Sequence, residues 1–176
     1  MPVRKPSNFR DLAEHVVTPV RRGVLFRSDH LGALDEGDAR AILDLGVRRV
    51  LAINAVGGIG PRFGPRVVAV PDQLIDYTWG RISTICEEPG TPVLHIDIGD
   101  PYTQSLRQAV LEAGRRAAVA LVDGGCLGVT QGPRLETKAE VLRLRRDGCD
   151  LVGMTSMPEA AIARELGLEY AGLALV

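Results

Sequence analysis

The tightest constraint in this sequence is an alternation. From Val47 onward, short apolar or β-branched runs take turns with segments of helical periodicity, and glycines mark the joins. Val47 to Ala55 is apolar except for Arg48, Arg49 and Asn54, and reads as a buried strand. Arg66 to Val70, Pro92 to Ile98, Leu127 to Thr130, Asp150 to Gly153 and Tyr170 to Val176 read as further strands. Helices fall between them. Asp35 caps a first helix that Gly46 stops, with Ile42 and Leu45 facing inward. Asp100-Pro101 opens another, a capping residue followed by proline at the first helical position. Its apolar stripe is Leu106, Val110, Ala113, Ala117 and Leu121. Glu136 to Arg146 and Pro158 to Leu166 are two more, ended by Gly148 and Gly167. Strands alternating with helices predict an α/β fold: three layers, with helices around a central, largely parallel or mixed sheet.

Bulk properties narrow the function classes. At 176 residues the chain is long enough for one domain with a core of its own. A net charge of −1 gives no bulk electrostatic case for nucleic acid or an anionic membrane as partner. No apolar run approaches a membrane span, and Met1 to Arg10 lacks the apolar stretch of a signal peptide. The three cysteines, Cys86, Cys126 and Cys149, form no C-x-x-C pair, which argues against a disulfide framework or a structural metal site. These features predict a soluble cytoplasmic protein. Residues 1–23, with Pro2, Pro6 and Pro19, read as a loosely structured lead-in.

Two segments exceed what a minimal scaffold needs. Ala55 to Pro65 is a Gly/Pro-rich loop straight after a strand, and Gln131 to Thr137 is a second, just before a helix. Loops that follow strands at one edge of an α/β sheet are the usual seat of ligands. Around them lie four motifs in order: Ala52-Ile-Asn-Ala-Val-Gly-Gly58, Val70-Pro-Asp-Gln-Leu-Ile-Asp-Tyr-Thr78, Thr130-Gln-Gly-Pro-Arg-Leu-Glu-Thr137 and Val152-Gly-Met-Thr-Ser-Met-Pro-Glu159. His95-Ile-Asp-Ile-Gly-Asp-Pro-Tyr102 and Ala160 to Leu175 continue the run. This set resembles the purine nucleoside phosphorylase and methylthioadenosine phosphorylase family, from about Leu45 to Val176. One motif alone is weak; four in order at family-like spacing are specific.

The resemblance implies phosphorolysis of a 5′-methylthio purine nucleoside to free purine and pentose 1-phosphate. Inorganic phosphate would be co-substrate, with no metal or organic cofactor. Such a protein must hold an anion under the sugar, stabilise charge on the departing purine and exclude water. The family pattern assigns phosphate to Asn54, Ala55 and Thr155, and the ribose face to Met154. It assigns the purine to Leu135, Glu136, Val56 and Gly57, with Thr155 and Glu136 as the catalytic pair. His95 would reach the 5′-substituent in a neighbouring subunit, because the family commonly forms trimers.

Each residue also has a plainer reading. Met154 can be core filling. Thr155 can cap the helix that follows. Glu136 can be a first-turn acid favouring the helix dipole. His95 can be structural, and the glycines at 57, 58 and 60 can simply serve a turn.

The first stretch departs from the family. Asn8-Phe-Arg-Asp-Leu12, Gly23-Val-Leu-Phe-Arg-Ser-Asp29 and Asp38 to Val50 resemble the N-terminal segment of bacterial tyrosine-phosphatase-like proteins, which share the Leu45–Val50 junction. The chain reads as one α/β domain, phosphatase-like over residues 1–44 and phosphorylase-like over 45–176, a chimera of the two. Phosphatase chemistry needs a low-pKa cysteine in a C-x5-R loop, and Cys126 to Arg134 is C-x7-R. Counting back without gaps from Gly46, the family's phosphate arginine falls on Arg21. Leu127 sits where close relatives often carry tyrosine. In the family the last strand runs on into a purine-contacting loop and a closing helix. The expected fold is therefore a truncated nucleoside-phosphorylase-like one.

Overall fold

The computed structural model describes residues 10–11, 26–27, 41–85 and 94–176. Two two-residue strands, β1 (Arg10–Asp11) and β2 (Phe26–Arg27), pair antiparallel. β3 (Arg49–Ala55), β4 (Gly57–Gly58), β5 (Val68–Val70) and β6 (Gln73–Asp76) come next. Helix α1 (Gln104–Arg116) leads to β7 (Leu121–Asp123) and β8 (Cys126–Val129). Helix α2 (Lys138–Arg146), β9 (Leu151–Gly153), helix α3 (Ser156–Glu165) and β10 (Glu169–Leu175) complete the order.

The strands form two four-stranded sheets, β3-β10-β5-β7 and β4-β9-β8-β6. They are not independent. β5 and β7 pair in parallel with Val70 opposite Asp123, and beyond a bend β6 and β8 resume with Gln73 opposite Cys126, so the register is unbroken. At the bend the Gly124 N–H donates to the Val70 carbonyl at 3.0 Å and the Gly125 N–H to Asp72 Oδ1 at 2.9 Å. Gly124 and Gly125 hold φ of 86° and 120°, the left-handed region that side chains resist. β3 likewise continues into β4, which pairs with β9. The ladders therefore run from β3 to β10, to β5/β6, to β7/β8, to β9 and back to β4: a closed, distorted ring.

One cluster takes Ala69, Leu127, Val129, Leu151 and Ala174 from four of the ring's strands and adds Phe63. A second packs α3 and the helical residues 41–44 on β10 through Ile42, Tyr102, Ala160, Ala163 and Tyr170. A third seats Leu144 of α2 against Cys149 and Val152. Every large side chain in these clusters is withdrawn from water, the main favourable term for the fold.

Several expectations are corrected. Residues 94–98 carry no strand; Pro92 and Val93 lie outside the described residues. The helix expected at Asp100-Pro101 begins only at Gln104. The reason is Thr103, which is bonded into β10: its N–H donates to the Tyr170 carbonyl at 2.7 Å, and its Oγ1 accepts from the Tyr170 N–H at 3.0 Å. The buried face of α1 is Leu106, Arg107, Leu111 and Gly114; Ala113 and Ala117 are exposed and Leu121 belongs to β7. Arg107 is buried because the Val70 and Pro71 carbonyls, Gln104 and Asp123 satisfy its guanidinium. β3 alternates half-buried and exposed residues, Ile53 being 65% exposed, because β10 alone pairs along its length among the described residues. The strands β4, β6 and β7 were not expected at all; β4 lies inside the Ala55–Pro65 segment that read as a ligand loop. The start of the Asp35 helix lies outside the described residues.

Candidate active site

β6, β8 and β9 are parallel neighbours, so their C-terminal ends open on one edge of the ring. The β3–β4 turn crosses that edge. Asn54 Nδ2 donates to Ser156 Oγ at 3.3 Å, Gly57 pairs with Val152, and the Val56 side chain sits 3.2 Å from where a Cβ on Gly153 would stand. Four segments distant in sequence therefore meet here: 54–57, 77–81, 130–136 and 153–157.

The turn glycines have a packing reason. A Cβ on Gly58 would stand 1.7 Å from the Phe63 carbonyl oxygen, and one on Gly60 2.5 Å from Asp150 Oδ1. The backbone approaches its neighbours too closely there for any side chain.

Beyond β8, Thr130 is fixed by its N–H, which donates to the Gly153 carbonyl at 2.8 Å. Its hydroxyl donates to Glu136 Oε1 at 2.5 Å. Glu136 is not a first-turn acid of α2. That helix starts at Lys138 with Thr137 as N-cap, and Glu140 completes the reciprocal capping box. With capping done by Glu140, the Glu136 carboxylate points instead to Thr130 at the strand exit. Leu135 beside it is 79% exposed.

Beyond β9, Met154 and Thr155 are half-buried and Ser156 is buried. Met154 is not part of any of the three clusters; its Sδ lies 2.5 Å from where a Cβ on Gly132 would stand, so it touches the 130–136 loop. Thr155 occupies the N-cap position of α3, yet its side chain makes no capping hydrogen bond. Its hydroxyl is thus not spent on the helix.

Reading residues in isolation missed three that organise the site: Thr130, Ser156 and, above all, Arg81. The Arg81 guanidinium donates to the carbonyls of Met154, Met157, Thr130 and Gln131. Thr130 and Ser156 stand inside the motifs that mark the edge; nothing local to Gly80-Arg81 signals a buried contact.

Ala55, inside the 54–57 segment, closes β3 opposite Leu175 with its side chain exposed. His95 is exposed, in a segment without strand. Arg21 lies outside the described residues.

A cavity of about 340 Å³ opens beside the 130–136 loop, with Tyr77, Trp79, Gln131, Gly132 and Glu136 in its lining. A larger one of about 790 Å³ is lined by Asp72 and Gln73 at the start of β6, at the opposite end of the ring, and by no residue of the four segments that meet at this edge. Burial, and then the neighbouring Cys149, push the Cys126 thiol up to about 12, and burial raises Cys149 too. Both stay protonated thiols, the reverse of what a phosphatase nucleophile needs. Cys86 lies outside the described residues. Among the described residues no group of three or more His, Cys, Asp or Glu is placed to hold a metal ion, and no helix is long and apolar enough to cross a membrane.

Comparison with known proteins agrees with this arrangement. Residues 36–176 match the phosphorylase superfamily and residues 1–55 the tyrosine phosphatase family. The two matches overlap across the Leu45–Val50 junction. Over 136 residues the chain is 67% identical to a probable S-methyl-5′-thioinosine phosphorylase of Xylella fastidiosa, covering 77% of this chain and 57% of that protein. It is 45% identical to the S-methyl-5′-thioadenosine phosphorylase of Pyrobaculum aerophilum, over 75% of this chain and 47% of the relative. The solved methylthioadenosine phosphorylase of Schistosoma mansoni superposes with a TM-score of 0.76 at 30% identity, covering 84% of this chain and 59% of that one. The chain thus spans about half the length of the curated relatives it matches. By its sequence match from residue 36 to 176 and by its fold, the chain belongs to the phosphorylase superfamily.

Proposed function

We propose that this chain carries the substrate-reading centre of a site for phosphorolysis of a 5′-methylthio purine nucleoside. A phosphate oxygen attacks the anomeric carbon of the ribose. The bond to the purine nitrogen breaks, and the purine leaves with the electron pair. Inorganic phosphate is the co-substrate, and no metal or organic cofactor takes part. The Ala55 backbone, Asn54 and the free Thr155 hydroxyl face the phosphate. Met154 lies under the ribose, a polarisable apolar surface suited to a sugar of oxocarbenium character. Glu136 accepts a hydrogen bond from a purine N–H through the carboxylate oxygen that Thr130 leaves free, in company with Leu135, Val56 and Gly57. A donor–acceptor pair at the leaving group acts where charge develops, and so favours the transition state over the substrate.

One observation carries this reading. Glu136 lies outside the helix it precedes, and Thr130 holds it at 2.5 Å over the same edge on which Met154, Thr155 and Asn54 stand. By the family pattern the protein is a cytoplasmic homotrimer with His95 contributed in trans, and Arg21, from the phosphatase-like segment of a chimera, stands for the phosphate arginine.

The exposure of Leu135 and Trp79 favours a second reading. A site open to water loses the exclusion that phosphorolysis needs, so the chain then binds purine and phosphate without turnover.

Purine release from methylthioinosine and from methylthioadenosine, followed with and without phosphate, separates the two. Phosphate-dependent release that Glu136→Gln slows by about 10²-fold or more is the expected result. Nucleoside binding by calorimetry without release selects the second reading. Neither binding nor release sinks both.

A further inference from the structure

We propose that Arg81 is a positioning residue that couples the purine half of this site to its ribose and phosphate half; the proposal rests on the reading above and assigns its internal linkage. Parallel strands end with carbonyls that the sheet no longer pairs, and such groups need donors when they are partly buried. At the exits of β8 and β9 one side chain supplies them. Arg81 Nη2 donates to the carbonyls of Gln131 at 2.8 Å and Thr130 at 3.2 Å, and Nη1 to Met154 at 2.7 Å and Met157 at 2.5 Å.

The pairing is selective. One terminal nitrogen takes only the purine-side loop and the other only the ribose-side turn. Among the described residues no carboxylate pairs with this guanidinium, and four backbone carbonyls are its hydrogen-bond partners. Met157 also has non-helical backbone angles, φ −117° and ψ 133°, inside α3. Arg81 holds the carbonyl of this kink, two residues beyond Thr155. The planar fork of arginine suits two pairs of acceptors in a fixed relation, which a lysine reaches only in part. A ligand that orders one segment therefore orders the other through this group, and the second ligand binds to a site already set.

The test reads coupling rather than activity. The chain has one tryptophan, Trp79, in the lining of the purine-side cavity, so its fluorescence reports occupancy. Methylthioinosine is titrated with and without inorganic phosphate in the wild type, Arg81→Met, Arg81→Lys and, as a stability control, Leu111→Ala in α1. Phosphate is expected to tighten nucleoside binding by about fivefold or more in the wild type and in Leu111→Ala. Arg81→Met brings that ratio to one, and Arg81→Lys restores part of it. A ratio kept in Arg81→Met, or wild-type binding of both ligands without coupling, overturns this inference and leaves the active-site reading standing. A ratio lost equally in Leu111→Ala shows general loosening and also overturns it. No binding of either ligand by the wild type removes the active-site reading and this inference together.

Discussion

The loop after β8 and the turn after β9 leave neighbouring parallel strands at the same edge, yet they are held in opposite ways. The purine-side loop rides on the surface. Its tip, Leu135, is bare, and its outer fastenings are an ion pair and a capping box around Glu140. The ribose-side turn is held from beneath. Ser156 is buried, and α3 behind it buries seven of its ten residues. The difference suits the chemistry proposed: the reacting centre sits on the rigid side and base reading on the adaptable side. Preorganised groups act best where charge changes, and a loop that moves can admit and release the base.

The strongest way to break this contrast is to undo the support beneath the turn. Tyr170 in β10 donates to Glu159 Oε2 at 2.9 Å, and both residues are buried. Burial first, and then the Glu159 charge, push the tyrosine well above its ordinary range, so it remains a donor throughout neutral pH. Glu159→Ala takes that acceptor from a buried hydroxyl and is expected to cost about 1–3 kcal/mol. Urea unfolding checks it: the midpoint falls while the slope stays constant. Glu159→Gln keeps an acceptor oxygen and is expected to lose less. A Glu159→Ala midpoint equal to the wild type would mean the turn does not depend on α3.

A milder intervention addresses the surface loop. Thr137 Oγ1 accepts from the Glu140 N–H at 3.2 Å, and Glu140 Oε2 accepts from the Thr137 N–H at 2.7 Å. Thr137→Ala removes one of these bonds and is expected to cost about 1 kcal/mol. Amide exchange should show the loss confined to residues 131–146, with the 153–157 turn unaltered. Equal loosening of both segments would erase the distinction between them.

The same distinction decides what the sequence revealed. The motifs marked three segments of the edge in full and the fourth as far as Thr78, because ligand loops combine residue types that a bare scaffold has no use for. The capping box was half visible, since Thr137 and Glu140 have the spacing; Glu136 was nevertheless read as the start of the helix, one residue before the true cap. What stayed hidden depends on contacts far apart in the chain. Arg107 and Arg81 carry no local signal of burial; distant carbonyls bury the first and half-bury the second. The closure of the ring rests on pairing between β4 and β9 and on the bend at Gly124 and Gly125, neither of which has a local pattern. The apolar run of β3 suggested burial on both faces, but exposure depends on which strands flank it. Thr103 delayed α1 by bonding to a strand that lies more than sixty residues onward.

The finest test of the contrast is pH, because only the surface loop is fastened by an accessible carboxylate. Arg134 clasps Glu140 through both carboxylate oxygens, at 2.7 and 2.9 Å. That clasp, with the Thr137 N–H and then its hydroxyl, holds the Glu140 carboxyl down at about 2. In the unfolded chain a glutamate titrates near ~4.3. The folded value is depressed, so the stabilisation is fully present above about pH 4.3 and is lost as the pH falls through about 2. The Arg134→Gln and Glu140→Gln variants should lower the plateau above about pH 4.3, only slightly because an exposed pair contributes little, and should meet the wild type at the acid end. Raised salt should mimic them in part, since screening acts on exposed charges and spares buried ones. Amide exchange at pH 3 locates the effect. Faster exchange at residues 131–140 with a protected 153–157 turn is the expected pattern. A turn that opens in step with the loop would show that the two are fastened together, and the natural suspect would then be the one guanidinium that touches both.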